Sequence, residues 1–392
     1  MKKLLLFLGL IQLAMVARAY RFSYTTYNYN QTATITGFAL DSASEVDIVI
    51  PEVLEGRYIV TAIAKSAFSK KEFTSVVIPN SVTTIGDQAF YHCESLVSVT
   101  MSNSVTKIGN DAFQGCYKLA SVTMPSGLTS IGDNAFYYCR RLTSATIPNS
   151  VTSLGEQAFY GCTSLQDVTI GDGVKIIKGS TFWGCSSLKF LNIGNGVTDI
   201  YGYAFSGCSQ LETLIIPENV KYIGYQTFYN CGLESVSIGD GVETIGNEAF
   251  STNHNLKSLT IGDNVTSIGA SAFKNCNSLE SVTIPGGVTS ISESTFEGCS
   301  SLKTVEIPES VTSIGPSAFS CCYALSTPLV IPNVTSIGRY AFYVCRNIPS
   351  VTLSEQLTEI EIGTFSGCTG LKSVTIPDNV TTIGLYAFER CI

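Results

Sequence analysis

The sequence predicts a repeat solenoid of stacked parallel strands, on three observations. Phenylalanine recurs at fifteen positions from Phe68 to Phe388, at intervals of 23 residues, two of them 22. Between these positions runs one pattern, L-x-S-V-T-I-P-x-x-V-T-S-I-G-x-x-A-F-x-x-C. Within the pattern, apolar and hydroxyl side chains alternate with the period of a strand. A fixed period of this size marks units that cannot bury an apolar face alone and therefore stack.

Each coil can be justified in chain order. In the last one, Leu371, Val374 and Ile376 point inward while Ser373 and Thr375 point out, as the two-residue strand period requires. Stacking makes these stretches a parallel sheet. Pro377 ends the strand, having no N–H to give to a ladder. Val380 and Ile383 turn inward again, and Gly384 is expected to adopt a backbone conformation barred to other residues. So short a coil leaves room for a turn of helix at most. The far side is therefore expected to be short extended pieces and 3-10 turns, and Phe388 to fill the interior.

Three regions follow from the departures. Residues 1–19 carry Lys2 and Lys3, an apolar run of 13 residues from Leu4 to Val16, and Ala17-Arg18-Ala19, the pattern of a secretory signal peptide. That run is shorter than the roughly 20 residues a bilayer-spanning helix needs, and no membrane insertion of the mature chain is expected. Residues 20–44, Tyr- and Thr-rich with TATITGF as a strand, read as an N-terminal cap. Residues 45–392 then form one repeat domain of about fifteen coils, opening on a half-unit (Ile48, Ile50, Pro51, then Val60 and Ile63) with a longer turn, EVLEGRY. ALSTPLVIPNVTSIG at 324–338 gains a strand residue and loses a turn residue, which predicts a bulge at Pro328. The chain stops inside a unit at Cys391-Ile392, so an uncapped, sticky end and end-to-end self-association are expected.

The pattern LxxVxIPxxVxxIGxxAFxxC over 45–392 closely resembles the BspA-like leucine-rich repeats of bacterial and some protozoan surface proteins. The resemblance implies a right-handed, curved leucine-rich-repeat solenoid with the LxxVxI strands on its concave face and the turns on its convex face. It also implies a surface or secreted protein that binds other proteins, host matrix components among them, or mediates adhesion between cells.

Charge narrows the partners. Removing residues 1–19 takes away three of 23 Lys and Arg and none of 31 Asp and Glu, leaving a net charge of −11. Nucleic acid and anionic membranes are thereby disfavoured.

Thirteen of fourteen cysteines (Cys93, Cys116, Cys139, Cys162, Cys185, Cys208, Cys231, Cys276, Cys299, Cys322, Cys345, Cys368 and Cys391) stand three residues after a repeat phenylalanine and form a ladder. Stacked equivalents have parallel Cβ vectors, poorly suited to the disulfide torsion, so they read as buried thiols filling an apolar row, with pairing of neighbours as the alternative. Asn253 and Lys71 interrupt the row. Cys321 is the extra thiol and the candidate for reactivity or pairing. His92 and His254 sit seven units apart, ~34 Å at ~4.8 Å per coil, and share neither a metal nor a triad. GDG and GDN at 171–173, 239–241 and 262–264 replace P-x-x as turn chemistry. Of the sequons at Asn30, Asn264, Asn333 and Asn379, the last three are the repeat's own N-V-T. No nucleotide, metalloprotease or hydrolase motif is present. The expectation is a protein that is not an enzyme, with no cofactor and no metal.

The outward strand positions carry the functional expectation. Most units place Ser and Thr there, from Ser98/Thr100 and Ser121/Thr123 to Ser373/Thr375, which strand propensity explains. The exceptions cluster: Asp167, Phe190 with Asn192, and Thr213 with Ile215, with Glu306 farther on. An exposed aromatic beside an exposed isoleucine is what a protein-binding hot spot needs. Trp183, which follows a repeat phenylalanine in the same region, and Tyr201, Tyr203, Tyr222 and Tyr225 are secondary candidates, the tyrosines expected on the convex or edge side and apart from Phe190. The reading is a secreted or cell-surface adhesin that takes a protein ligand, with glycan or cell-wall polymer binding and a ligand-free structural spacer as alternatives.

Overall fold

A computed structural model describes residues 20–40 and 46–391; the signal-peptide reading of residues 1–19 lies outside them. Each coil contributes two strands to two parallel ladders, and the coils repeat about fifteen times. We call the ladder of L-x-S-V-T-I stretches the front sheet and that of V-T-S-I stretches the rear sheet. No helix is present among the described residues. The coils fall into two compact units that meet at Val174/Lys175.

In the first unit, Tyr20–Tyr27 and Thr32–Leu40 form an antiparallel hairpin, and Thr32–Leu40 joins Tyr58–Ile63 in parallel. The rear ladder continues through Thr84–Ile85, Lys107–Ile108, Ser130–Ile131 and Ser153–Leu154. EVLEGRY folds as a small hairpin, Val53–Leu54 against Tyr58–Ile63. On the hairpin's inner side Phe22 and Phe38 lie 6.2 and 5.1 Å from Phe68, so aromatic carbon covers the first repeat phenylalanine. The front ladder runs Asp47–Val49, Ser75–Val77, Ser98–Thr100 and Ser121–Val122, with Ser144–Ile147 pairing Asp167–Ile170.

In the second unit the rear ladder runs from Ile176–Ile177 through Asp199–Ile200, Tyr222–Ile223 and Thr244–Ile245 to Ser267–Ile268. Its front strands include Phe190–Ile193, Thr213–Ile216, Ser235–Ile238 and Ser258–Thr260, the last three joined in one sheet.

Each unit's interior is an aromatic column. Ring centroids of successive repeat phenylalanines stand 4.9 Å apart at Phe68–Phe90 and 5.5 Å at Phe365–Phe388, with near-parallel planes, and Phe68 through Phe365 are fully buried. The 22-residue intervals keep this register by losing a residue in one corner. Gly232 replaces the two residues that usually separate cysteine from leucine, and Phe73, buried, takes the leucine's place in the first coil.

Two expectations, the Gly384 torsion and the Pro328 bulge, are corrected. Gly384 is not in the left-handed region; the residues that are lie two before and two after the phenylalanine, such as Tyr386 (φ 60°) and Arg390 (φ 60°). The repeat glycine is required by closeness: a Cβ on Gly384 would stand 2.6 Å from the Ile362 nitrogen, and one on Gly155 would stand 2.2 Å from the Gly132 carbonyl carbon. The far side forms, as expected, short extended pieces joined in a second ladder and followed by hydrogen-bonded turns, whose left-handed residues interrupt any continuous helical run. The extra residue of 324–338 is taken up at Ser326–Pro328, before the strand Leu329–Val330 begins, so no ladder is bulged there.

Candidate functional site

The outward face of the front sheet is built by strand alternation. Along Phe190–Ile193 and Thr213–Ile216, Ile193, Leu214 and Ile216 are buried and Leu191 is half-buried, while Phe190, Asn192, Thr213 and Ile215 are exposed. Phe190 is 66% and Ile215 67% exposed. The two strands lie side by side, and the 23-residue period puts Phe190 level with Thr213 and Asn192 level with Ile215. Phe190 and Ile215 are therefore diagonal neighbours, ~8 Å apart and within reach of one bound side chain. On the far side the next strand pairs Thr213 with Ser235 and Ile215 with Ser237, and the hydroxyl surface resumes. Lys189 and Glu212, both exposed, flank the patch.

The other expected residues lie elsewhere. Asp167 is exposed on its own strand in the first unit, level with Ser144. Tyr222 belongs to a rear strand and meets Tyr201 edge-on at 6.1 Å; Tyr203 meets Tyr225 at 5.1 Å, and the Tyr225 hydroxyl donates to Glu248 at 3.3 Å. These are rear-side and corner pairs, as is Trp183, which follows Phe182. Sequence reasoning passed over Val49 and Val77, outward partners on paired front strands, 54% and 39% exposed, and Val330, 56% exposed. The signal was available: in DIV and SVV a valine stands where the repeat writes Thr.

The cysteine row has a polar purpose as well as an apolar one. In most coils the repeat phenylalanine's carbonyl accepts the N–H three residues on, and in twelve of the described ladder contacts a phenylalanine carbonyl also accepts a thiol from the following coil. At Phe90 these are Cys93 N at 3.2 Å and Cys116 Sγ at 3.2 Å. Burial pushes the Cys93, Cys276 and Cys368 thiols up to about 12, and Cys139, Cys299 and Cys345 up as well. They are kept protonated as donors. All fourteen cysteines are unbridged, and Cys321, half-exposed in a left-handed corner at φ 61°, accepts a long contact from Ser320 Oγ at 3.7 Å and shares a side-chain hydrogen bond with Tyr323. Asn253 imitates the thiol: its Nδ2 donates to Phe228 O at 2.9 Å and Phe250 O at 2.7 Å, leaving its Oδ1 buried without a partner. The N-V-T asparagines are structural too. Asn264, Asn333 and Asn379 donate to carbonyls of the preceding coil at 2.8, 2.9 and 2.7 Å.

Residues 61–189, 175–293 and 266–392 match the family described as "BspA type Leucine rich repeat region". The chain belongs to the BspA-type leucine-rich repeat family. A leucine-rich repeat protein from Bacteroides ovatus ATCC 8483 shares 30% identity with this BspA-type chain, over 95% of it and 91% of the relative, with a TM-score of 0.73. A leucine-rich cell surface protein from Faecalibacterium prausnitzii A2-165 shares 30% identity over 90% and 92% of the two chains, with a TM-score of 0.48. Among curated proteins no relative matches. BspA-type and other leucine-rich repeat proteins are generally protein-interaction modules and non-enzymatic scaffolds.

Proposed function

We propose that the chain is an exported repeat protein, secreted or held at the cell surface, that acts as an adhesin. It takes a host-matrix or bacterial surface protein on the outward face of its front sheet. One observation carries the reading: Phe190 and Ile215, 66% and 67% exposed, stand on neighbouring strands, and the next strand beside them shows only the hydroxyls of Ser235 and Ser237. An aromatic and an aliphatic anchor supply the desolvated centre that protein interfaces rely on, and Asn192, Thr213, Lys189 and Glu212 supply a polar rim. Export is supported by the Lys2-Lys3, apolar and Ala-Arg-Ala sequence at the N-terminus.

The test is binding of the full chain to a panel of purified matrix and bacterial surface proteins, with and without the pair Phe190→Ser and Ile215→Thr. The expected result is a partner whose affinity falls at least about tenfold in the double variant, at an unchanged unfolding midpoint. Equal binding by both proteins overturns the reading.

A further inference from the structure

The corner after the repeat phenylalanine carries a second surface in the first unit, separate from the front sheet. Two residues past the phenylalanine the backbone is left-handed, at His92, Gly115, Tyr138 and Gly161 in successive coils. Rings and glycines alternate there. A Cβ on Gly115 would come within 2.9 Å of the His92 ring, and one on Gly161 within 2.2 Å of the Tyr138 ring, so each ring covers the glycine of the next coil. The Arg140 guanidinium lies 5.3 Å from the Tyr117 ring centroid and 5.0 Å from that of Tyr138. Tyr137 stacks on Tyr160 at 4.7 Å. Burial, then its neighbour Tyr138, pushes the Tyr137 hydroxyl up to about 12, and it stays a neutral donor.

The charges on this corner run against those of the chain. Arg140 and Arg141 are exposed beside Lys118, which holds the position equivalent to Arg141 one coil earlier. Several exposed lysines of the second unit are neutralised across coils, as in Lys257–Glu234 at 2.9 Å and Lys303–Glu280 at 2.7 Å. Among the described residues none of Lys118, Arg140 and Arg141 has a carboxylate within ion-pair distance, in a chain whose net charge is −8. The one acid engaged at this corner is Glu94, 3.2 Å from His92 Nδ1. The same pair recurs in the second unit, where Arg346 lies 5.0 Å from the Tyr323 ring centroid, each four residues past its phenylalanine.

We propose that this corner binds an acidic polysaccharide, with sugar carboxylates on Arg140, Arg141 and Lys118 and sugar faces against Tyr117 and Tyr138. A guanidinium presents a planar fork that matches a carboxylate. The electron-rich face of tyrosine attracts the polarised C–H edge of a pyranose, as it attracts a cation. Contacts repeating at ~4.8 Å per coil are met again and again by a polymer of like residues that carries a carboxylate and a sugar face on each.

The full chain is titrated by calorimetry with polygalacturonate oligomers, neutral galactan and polyglutamate. Polygalacturonate is expected to bind, to weaken between about 50 and 300 mM salt, and to lose at least about tenfold in affinity with Arg140→Gln plus Arg141→Gln. Lys118→Gln plus Arg141→Gln, which leaves the stacked Arg140 in place, is expected to lose affinity at an unchanged unfolding midpoint. Phe190→Ser with Ile215→Thr is expected to bind the polymer normally, so this proposal and the protein-ligand reading fail separately. The proposal is overturned by absent polygalacturonate binding, by equal binding in both charge variants, or by galactan or polyglutamate binding as tightly.

Discussion

Two stretches of the second unit share one backbone and differ in what they show to solvent. LKFLNI at 188–193 and LKSVTI at 371–376 both place a leucine at the coil's corner and alternate side chains inward and outward. The first presents Phe190 and Asn192, the second Ser373 and Thr375. Because the period of a strand is two, the inward row is committed to the column of phenylalanines and the outward row is free of it. Stability is thus carried by the inward row, and the proposed recognition falls to alternate residues of the same strand.

The broadest way to break that division is alkali. The buried thiols have folded values raised to about 12 at Cys93, Cys276 and Cys368. Below about pH 8.5 the unfolded chain also keeps these protons, and their contribution is fully present. As pH rises toward 12 the unfolded chain releases protons that the folded one holds, and stability is lost. Urea unfolding midpoints should be flat near neutrality and fall steeply above pH 9, less steeply in a chain with Cys276→Ala and Cys299→Ala. A pH-independent midpoint would show the thiols are not buried.

Next in size is Phe205→Ala, which opens the column and should cost about 3–5 kcal/mol; an unchanged melting curve would remove Phe205 from the core. Asn253→Cys should stabilise the chain by about 1 kcal/mol, since it restores the thiol and removes a buried, unpartnered amide oxygen. Chemical denaturation measures both. Smallest is the outward pair, Phe190→Ser with Ile215→Thr, which should leave stability within about 0.5 kcal/mol while weakening the ligand. A large loss there would mean the outward row also holds the fold.

Much of this was legible because a repeat reports register. The spacing of phenylalanine, leucine and valine placed nearly every inward residue, and the breaks at Phe190 and Ile215 in a Ser/Thr row showed the patch. What was hidden depended on neighbours one coil away. Gly384 is visible as a glycine, but the Ile362 backbone passing behind it is not, so its constraint was read as a torsion. The cysteines were read as apolar filling because the second lone pair of a phenylalanine carbonyl leaves no mark in sequence. The Tyr117, Tyr138 and Arg140 corner falls in positions the repeat leaves variable, and only stacking brings them together.

The side-chain ladders also have a direction. Cys116 Sγ reaches back to Phe90, Thr106 Oγ1 to Thr83, and Asn264 Nδ2 to Asp240, each an acceptor one coil nearer the N-terminus. A chain that folds from its N-terminus onward therefore meets these acceptors already in place. Growth can proceed by templated addition, the hairpin that covers Phe68 serving as the seed.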